Sequence, residues 1–214
     1  MIRNRERGFT LLELLISITI LGLIATLILG AFRIGVRAWE KGEKDVEIHQ
    51  RERVVLDLVR RQLSSVCLRG VRDAGGRILT FEGDGKSMQF VSHVNLVPSN
   101  AYGLAFVNYE IRADEDSGGE NFTLYEKNVV LLNKDTETEG PGEDEFICLI
   151  NGVGSLGFEY YKEPTEEEEE ISPWRETWDM EEEKGFPLAV RVMLETNEKT
   201  EPIYVVARMG STLL

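Results

Sequence analysis

A chain of 214 residues with 6 prolines is long enough to bury one core and to carry an extension. Its formal charge of −14 is unevenly placed: residues 1–72 hold 13 basic and 8 acidic side chains, residues 73–214 hold 11 and 30. So acidic a body argues against nucleic acid as a ligand, since phosphate must be neutralised by basic surface, and the change of sign near residue 72 marks two parts with different surroundings.

The chain opens on the basic octapeptide MIRNRERG. From Phe9 to Phe32 there follow 24 residues whose one charge is Glu13. As a helix this run is about 36 Å long, enough to cross a hydrocarbon core of about 30 Å. A membrane-spanning segment over 9–32 is expected. A cleaved secretory signal fits less well, because its apolar region is roughly 7–15 residues and ends in an A-x-A site that is absent here. For a buried core helix the run is long. Arg3, Arg5 and Arg7 precede it; Arg33, Arg37, Lys41 and Lys44 follow it. Counted as Lys and Arg, the two flanks leave the orientation open.

The helical pattern continues over 33–66. Val55, Leu58, Val59, Gln62, Leu63 and Val66 fall on one helical face, which predicts a stripe seated on the core of the body. No proline occurs before Pro98, so one helix from about Phe9 to Val66 is expected, with Gly22, Gly30, Gly35 and Gly42 as points where it bends or frays.

The texture changes over 67–214. RGVRDAGGR reads as a loop by its glycines. Eight strand-like runs follow: RILTFEG, SMQFVSH, GLAFVNYEIRA, NFTLYEKNVVLL, EFICLI, SLGFEYYKE, LAVRVMLET and PIYVVARM. Several alternate apolar and polar residues, as half-buried antiparallel strands do. Acidic, glycine-rich connectors separate them, and no internal repeat is present. The class is α+β, a long N-terminal helix packed on an antiparallel sheet. Cys67 and Cys148 are too few and too far apart for a disulfide scaffold or a zinc site. Two independent thiols and a single bridge both remain open.

Candidate chemistry falls away on spacing. GDGKS at 83–87 lacks the glycine that a phosphate loop needs at position 80, which is Thr80. GVGSLG at 152–157 has Val153 where a nucleophile elbow needs glycine. His49 and His93 have no partner set. DEDSGGE from Asp114 is not an EF-hand, because position 5 is Gly118 and position 12 is Tyr125. A looser calcium site there stays open; no other cofactor is indicated. The five glutamates Glu166 to Glu170 read as a solvated loop. Trp174 and Trp178 read as cover for the edge of the core, with a partner-binding patch as the alternative.

One motif remains. RGFTLLELL resembles the class III signal of type IV prepilins and type II secretion pseudopilins: a short basic leader ending in Gly8, Phe9 as first mature residue, Thr10, the acid Glu13, then an apolar run. Three later segments, LDLVRRQLSSVCLRGVRDAGG, LAFVNYEIRADEDSGGENFTLYEKN, and LINGVGSLGFEYYKE followed by WRETW and FPLAVRVMLE, resemble minor pseudopilin J of type II secretion. The acidic stretch 163–172 departs from the family's loop, and no role is carried onto it.

The resemblance implies a pilin-like fold and a non-enzymatic, structural subunit. It implies cleavage between Gly8 and Phe9 by a membrane-embedded prepilin peptidase, with N-methylation of Phe9. The parts are then 1–8 leader, 9–32 transmembrane helix, 33–66 amphipathic continuation and 67–214 β-rich body. The leader lies in the cytoplasm, the span in the bacterial inner membrane and the body in the periplasm. Implied partners are other pseudopilins, above all minor pseudopilins I and K, with which family J forms a tip complex that starts a short pseudopilus and helps export folded proteins. No small-molecule substrate is implied. A minor pilin of a type IV pilus or competence system shares the signal and the helix.

Physics gives Glu13 a reason. A charge at mid-bilayer costs about 2.5–3.5 kcal/mol even on lenient scales, whereas each Leu or Ile returns only about 0.3–0.6 kcal/mol. Glu13 either reaches the near interface or finds a cation. In the family the acid meets the α-amino group of a neighbouring subunit, an amine that cleavage before Phe9 exposes.

Overall fold

The computed structural model describes residues 10–100, 102–114, 118–132, 141–164, 172–195 and 202–210; of side chains 40–49 nothing is said. It has the expected α+β class. Helix α1 runs Leu11–Ser64, continuous through all four glycines at which bending was expected. Among the described residues twelve strands follow: β1 (Val71–Arg72), β2 (Ile78–Leu79), β3 (Glu82–Gly83), β4 (Ser87–Ser92), β5 (Ala105–Ala113), β6 (Glu120–Asn128), β7 (Ile147–Val153), β8 (Ser155–Tyr161), β9 (Trp174–Arg175), β10 (Trp178–Asp179), β11 (Ala189–Glu195) and β12 (Ile203–Arg208). A one-turn helix α2, Met180–Glu183, is capped by Asp179, whose Oδ1 accepts from the Glu181 N–H at 2.7 Å. The chain divides into two compact units, Met1–Arg51 and Glu52–Leu214, so the last turns of α1 belong to the body.

In the body, β10-β3-β4-β5-β6-β7 form a six-stranded sheet and β12-β11-β8-β9 a four-stranded one, while β1 and β2 pair as a separate hairpin. All pairings are antiparallel, and the longest, β5 with β6, runs in unbroken register from Ala105↔Asn128 to Ala113↔Glu120. The main core draws Leu56, Val59 and Leu63 from α1, Phe90, Tyr109 and Phe122 from the larger sheet, and Phe158, Val190 and Val192 from the smaller. A second cluster includes Cys67, Val91, Phe106 and Tyr125. Alternation along the strand sends Phe122 and Leu124 to the first cluster and Tyr125 to the second, so the middle of β6 is buried on both faces.

Four details of the sequence reading change. The helical stripe changes at one place: Val59, Gln62, Leu63 and Val66 are buried and Val55 packs half-buried on the core, as expected, but Leu58 stands 38% exposed and Leu56 is buried at 1% in its stead. Within α1 the buried residues Glu52, Leu56, Val59, Gln62 and Leu63 are spaced three or four apart, except for the adjacent pair Gln62 and Leu63, which keeps them to one side of the helix. NFTLYEKNVVLL does not stay extended: Asn128 caps a 3-10 turn over Val129–Leu131, its side-chain oxygen accepting from the Val130 N–H at 3.0 Å. RGVRDAGGR is the first arm and turn of the β1–β2 hairpin, held by the Arg77 N–H on Asp73 Oδ1 at 2.9 Å. Trp174 and Trp178 lie on strands of different sheets. Trp178 joins the core and donates to the Gly185 carbonyl at 3.0 Å. Trp174 is half-buried, 5.2 Å from the Tyr161 ring, with the Arg191 guanidinium 4.3 Å above it.

Candidate functional site

Gly8 and Phe9 lie outside the described residues; the part of the motif that can be placed begins at Thr10. Thr10 precedes α1, and its hydroxyl accepts the Glu13 N–H at 3.3 Å. Ser or Thr followed three residues later by Glu is a helix-start signature, with the acid near the positive end of the helix dipole. Glu13 thus has a local reason to sit in the first turn of α1, one that T-x-x-E carried in the sequence and that the reading above did not use.

The stretch Leu11–Trp39 is long and apolar enough to cross a membrane, with a mean hydropathy of 2.5 in its best window and none of that window buried within the chain. Leu11, Leu21, Leu27 and Phe32 are each more than half exposed. The hydroxyls of the span close on their own helix. Ser17 donates to the Glu13 carbonyl at 2.8 Å, Thr19 to Ile16 at 2.8 Å, and Thr26 to Gly22 at 2.7 Å. This satisfies each polar group without water, as a hydrocarbon environment demands.

A second constellation fixes the end of α1 to the body. Gln62 is fully buried. Its Nε2 donates to Glu126 Oε2 at 2.7 Å and to the Val94 carbonyl at 2.9 Å, and its Oε1 accepts from the Tyr109 hydroxyl at 2.5 Å. Glu126, also buried, accepts from the backbone N–H groups of Leu96 at 2.8 Å and Val97 at 2.9 Å. Asn100 Nδ2 donates to the Glu126 carbonyl at 2.8 Å. Ser92 Oγ donates to the Gln62 carbonyl at 2.9 Å and so caps one of the last open carbonyls of α1. One amide, one carboxylate and one phenol thereby join α1, β5, β6 and the 94–100 segment. Burial first, and the Glu126 carboxylate second, push the Tyr109 phenol well above its ordinary range. The partner of Gln62 is 64 residues away, and no local pattern announces it.

The remaining candidates have structural roles or stay unplaced. GDGKS is the β3–β4 turn, where Asp84 Oδ1 accepts from the N–H groups of Lys86 and Ser87, both at 2.7 Å. Glycine is required at position 83, because a Cβ there would lie 2.1 Å from the Tyr160 hydroxyl. His93 is exposed just after β4, and the His49 side chain lies outside the described residues. Cys67 and Cys148 are not bridged: Cys67 is buried, while Cys148 is exposed on β7 with its thiol donating to the Ile150 carbonyl at 3.4 Å. Residues 115–117 of the calcium candidate and 165–171 of the acidic stretch lie outside the described residues. Among those described, no three His, Cys, Asp or Glu side chains gather as a metal group.

The prokaryotic N-terminal methylation motif matches residues 3–29, spanning Gly8, Phe9 and Glu13. The type II secretion system (T2SS) protein J family matches residues 30–207, most of the chain. None of the curated proteins compared with the chain matches it. The two family matches adjoin: the first covers most of the exposed apolar stretch of α1, and the second runs from within that helix through the α+β body. The chain belongs to the type II secretion system protein J family, and is a membrane-anchored minor pseudopilin with a structural role.

Proposed function

We propose that this pseudopilin is cut between Gly8 and Phe9, is N-methylated on Phe9, and enters a pseudopilus tip through Glu13. The observation that carries the reading is an acid held in the first turn of a helix whose apolar surface is uncovered by its own chain. The first turn puts the Glu13 carboxylate close in sequence to the amine that cleavage creates. A neighbouring subunit's amine then supplies the cation that a carboxylate in hydrocarbon requires. The span lies in the inner membrane and the body in the periplasm. Minor pseudopilins I and K are the partners, and the complex starts the fibre that helps folded proteins leave the cell.

The test is co-expression of the full chain with I and K, followed by affinity isolation in mild detergent. Glu13→Gln removes the charge while keeping the shape. The expected result is normal membrane insertion and processing, with recovery of I and K reduced about tenfold or more, the scale of one lost charge pair. Undiminished recovery with Glu13→Gln would end the assembly role.

A further inference from the structure

The two sheets end in four edge strands, and three of them are blunted. β9 and β10 have two residues each, and β7 pairs with β6 through shifts of register around Phe122. Short or irregular edges are common ways to stop an edge from recruiting another strand. β12 uses neither. Its six residues pair with β11 in continuous register from Leu194↔Ile203 to Ala189↔Arg208. Its first five, IYVVA, are uncharged. Among the described residues, no strand pairs with its far side.

A groove of about 310 Å³ runs along that side. Ile203, Tyr204, Val205 and Val206 line it from the strand, and Arg53, Leu56, Asp57 and Arg60 from α1. Side chains alternate between faces along a strand. Four consecutive residues lining one groove therefore present the strand's edge, with its backbone N–H and C=O groups, rather than one face. The opposite wall is basic. Arg60 at 2.5 Å and Arg61 at 2.9 Å share the single carboxylate of Asp57, whose pKa is lowered chiefly by the Arg60 hydrogen bond. Arg53 adds a second guanidinium to the groove wall itself, Arg61 standing beside that wall outside the groove, while Glu52 is buried. This wall is positive on a body in which residues 73–214 hold 30 acids against 11 bases.

A second copy of the chain is the wrong occupant. Pairing β12 with its own copy brings two sets of these guanidiniums together. We propose that the β12 edge receives an extended acidic segment of a different subunit of the pseudopilus, added as a fifth strand to the four-stranded sheet, with carboxylates over Arg53 and Arg60. Backbone pairing supplies affinity and the arginines select the partner. The inference rests on the subunit role given above.

The experiment places the photoreactive residue p-benzoylphenylalanine at Tyr204, an exposed position, in the full-length chain expressed with the other pseudopilins of its own system. Cross-links are mapped by mass spectrometry, and co-isolation of the pseudopilins is scored separately. The expected adduct joins position 204 to an acidic extended segment of another pseudopilin. It falls about tenfold in the Arg53→Glu/Arg60→Glu variant, whose exposed substitutions leave the unfolding midpoint in place. A Val206→Lys variant, which puts a charge on the strand, lowers it as well. An adduct to a second copy overturns the proposal. So does the absence of any adduct at 204 while other pseudopilins still co-isolate. Failure of all co-isolation for the unmodified chain would instead sink the subunit role, and the docking with it.

Discussion

The two ends of α1 obey opposite rules. Over residues 11–32 the helix carries one charge, Glu13, and buries nothing within the chain. Over the residues from Glu52 to Ser64 it is richer in charge, yet Leu56, Val59 and Leu63 are all but inaccessible. Polar groups follow the same division. Ser17, Thr19 and Thr26 turn back on their own helix, whereas Gln62 reaches across to the sheet. Burial thus depends on what stands opposite a face, not on how greasy the face is. The body supplies a partner for the second region; lipid and other subunits must supply one for the first.

The hardest blow to this contrast is at Glu126. Glu126→Ala leaves the Leu96 and Val97 N–H groups without their carboxylate acceptor and takes one of the two acceptors of the Gln62 amide. With about 1–3 kcal/mol for each buried donor left unpaired, the expected loss is about 2–5 kcal/mol, read as a fall in the urea midpoint of the full chain in micelles by tryptophan fluorescence. A loss below about 1 kcal/mol would show that α1 is held to the body by apolar packing alone. Next in size is a matched pair on the helix. Leu56→Ala is expected to cost about 2–5 kcal/mol and Leu58→Ala less than about 1 kcal/mol. Equal costs would contradict the burial of Leu56 in place of Leu58.

The smallest effect is in alkali. Burial is the leading cause that raises Tyr109 and Tyr160 well above 10 and Tyr125 to about 12; Glu126, Asp84 and Glu145 respectively add to it. With folded values above the unfolded one, these phenols contribute stability that is constant below pH 10. Above pH 10 the unfolded chain sheds its phenolic protons first, so stability falls as pH rises further. Absorbance titration is expected to find these three phenols un-ionised at pH 10, with their phenolate signal emerging as the body unfolds. Full ionisation at pH 10 with the body still folded would show that they are solvated.

Much of this architecture was legible. The long helix lies where expected and each of the eight apolar runs contains a strand, although one run ends in a 3-10 turn, because each carries its own period and breakers. The stripe holds at Val59, Gln62, Leu63 and Val66; Leu58 fails because Leu56 is as apolar, and the choice between them is made by the sheets. The residues of VVLL favour a strand, and the Asn128 cap overrides that preference. Gln62 was placed on the stripe, but its partners Tyr109 and Glu126 come from two strands far along the chain. The Thr10–Glu13 helix start was present in plain view and went unused beside the stronger cleavage motif.

The measurement that tests the central claim most directly is the intact mass and N-terminal sequence of the chain recovered from its native membrane. The account predicts a chain that begins at Phe9 and carries one methyl group on its amine, the cation that Glu13 of a neighbour meets. A chain still beginning at Met1, in cells whose other prepilins are cut, would contradict it and leave a plain membrane anchor with an acid in its first turn.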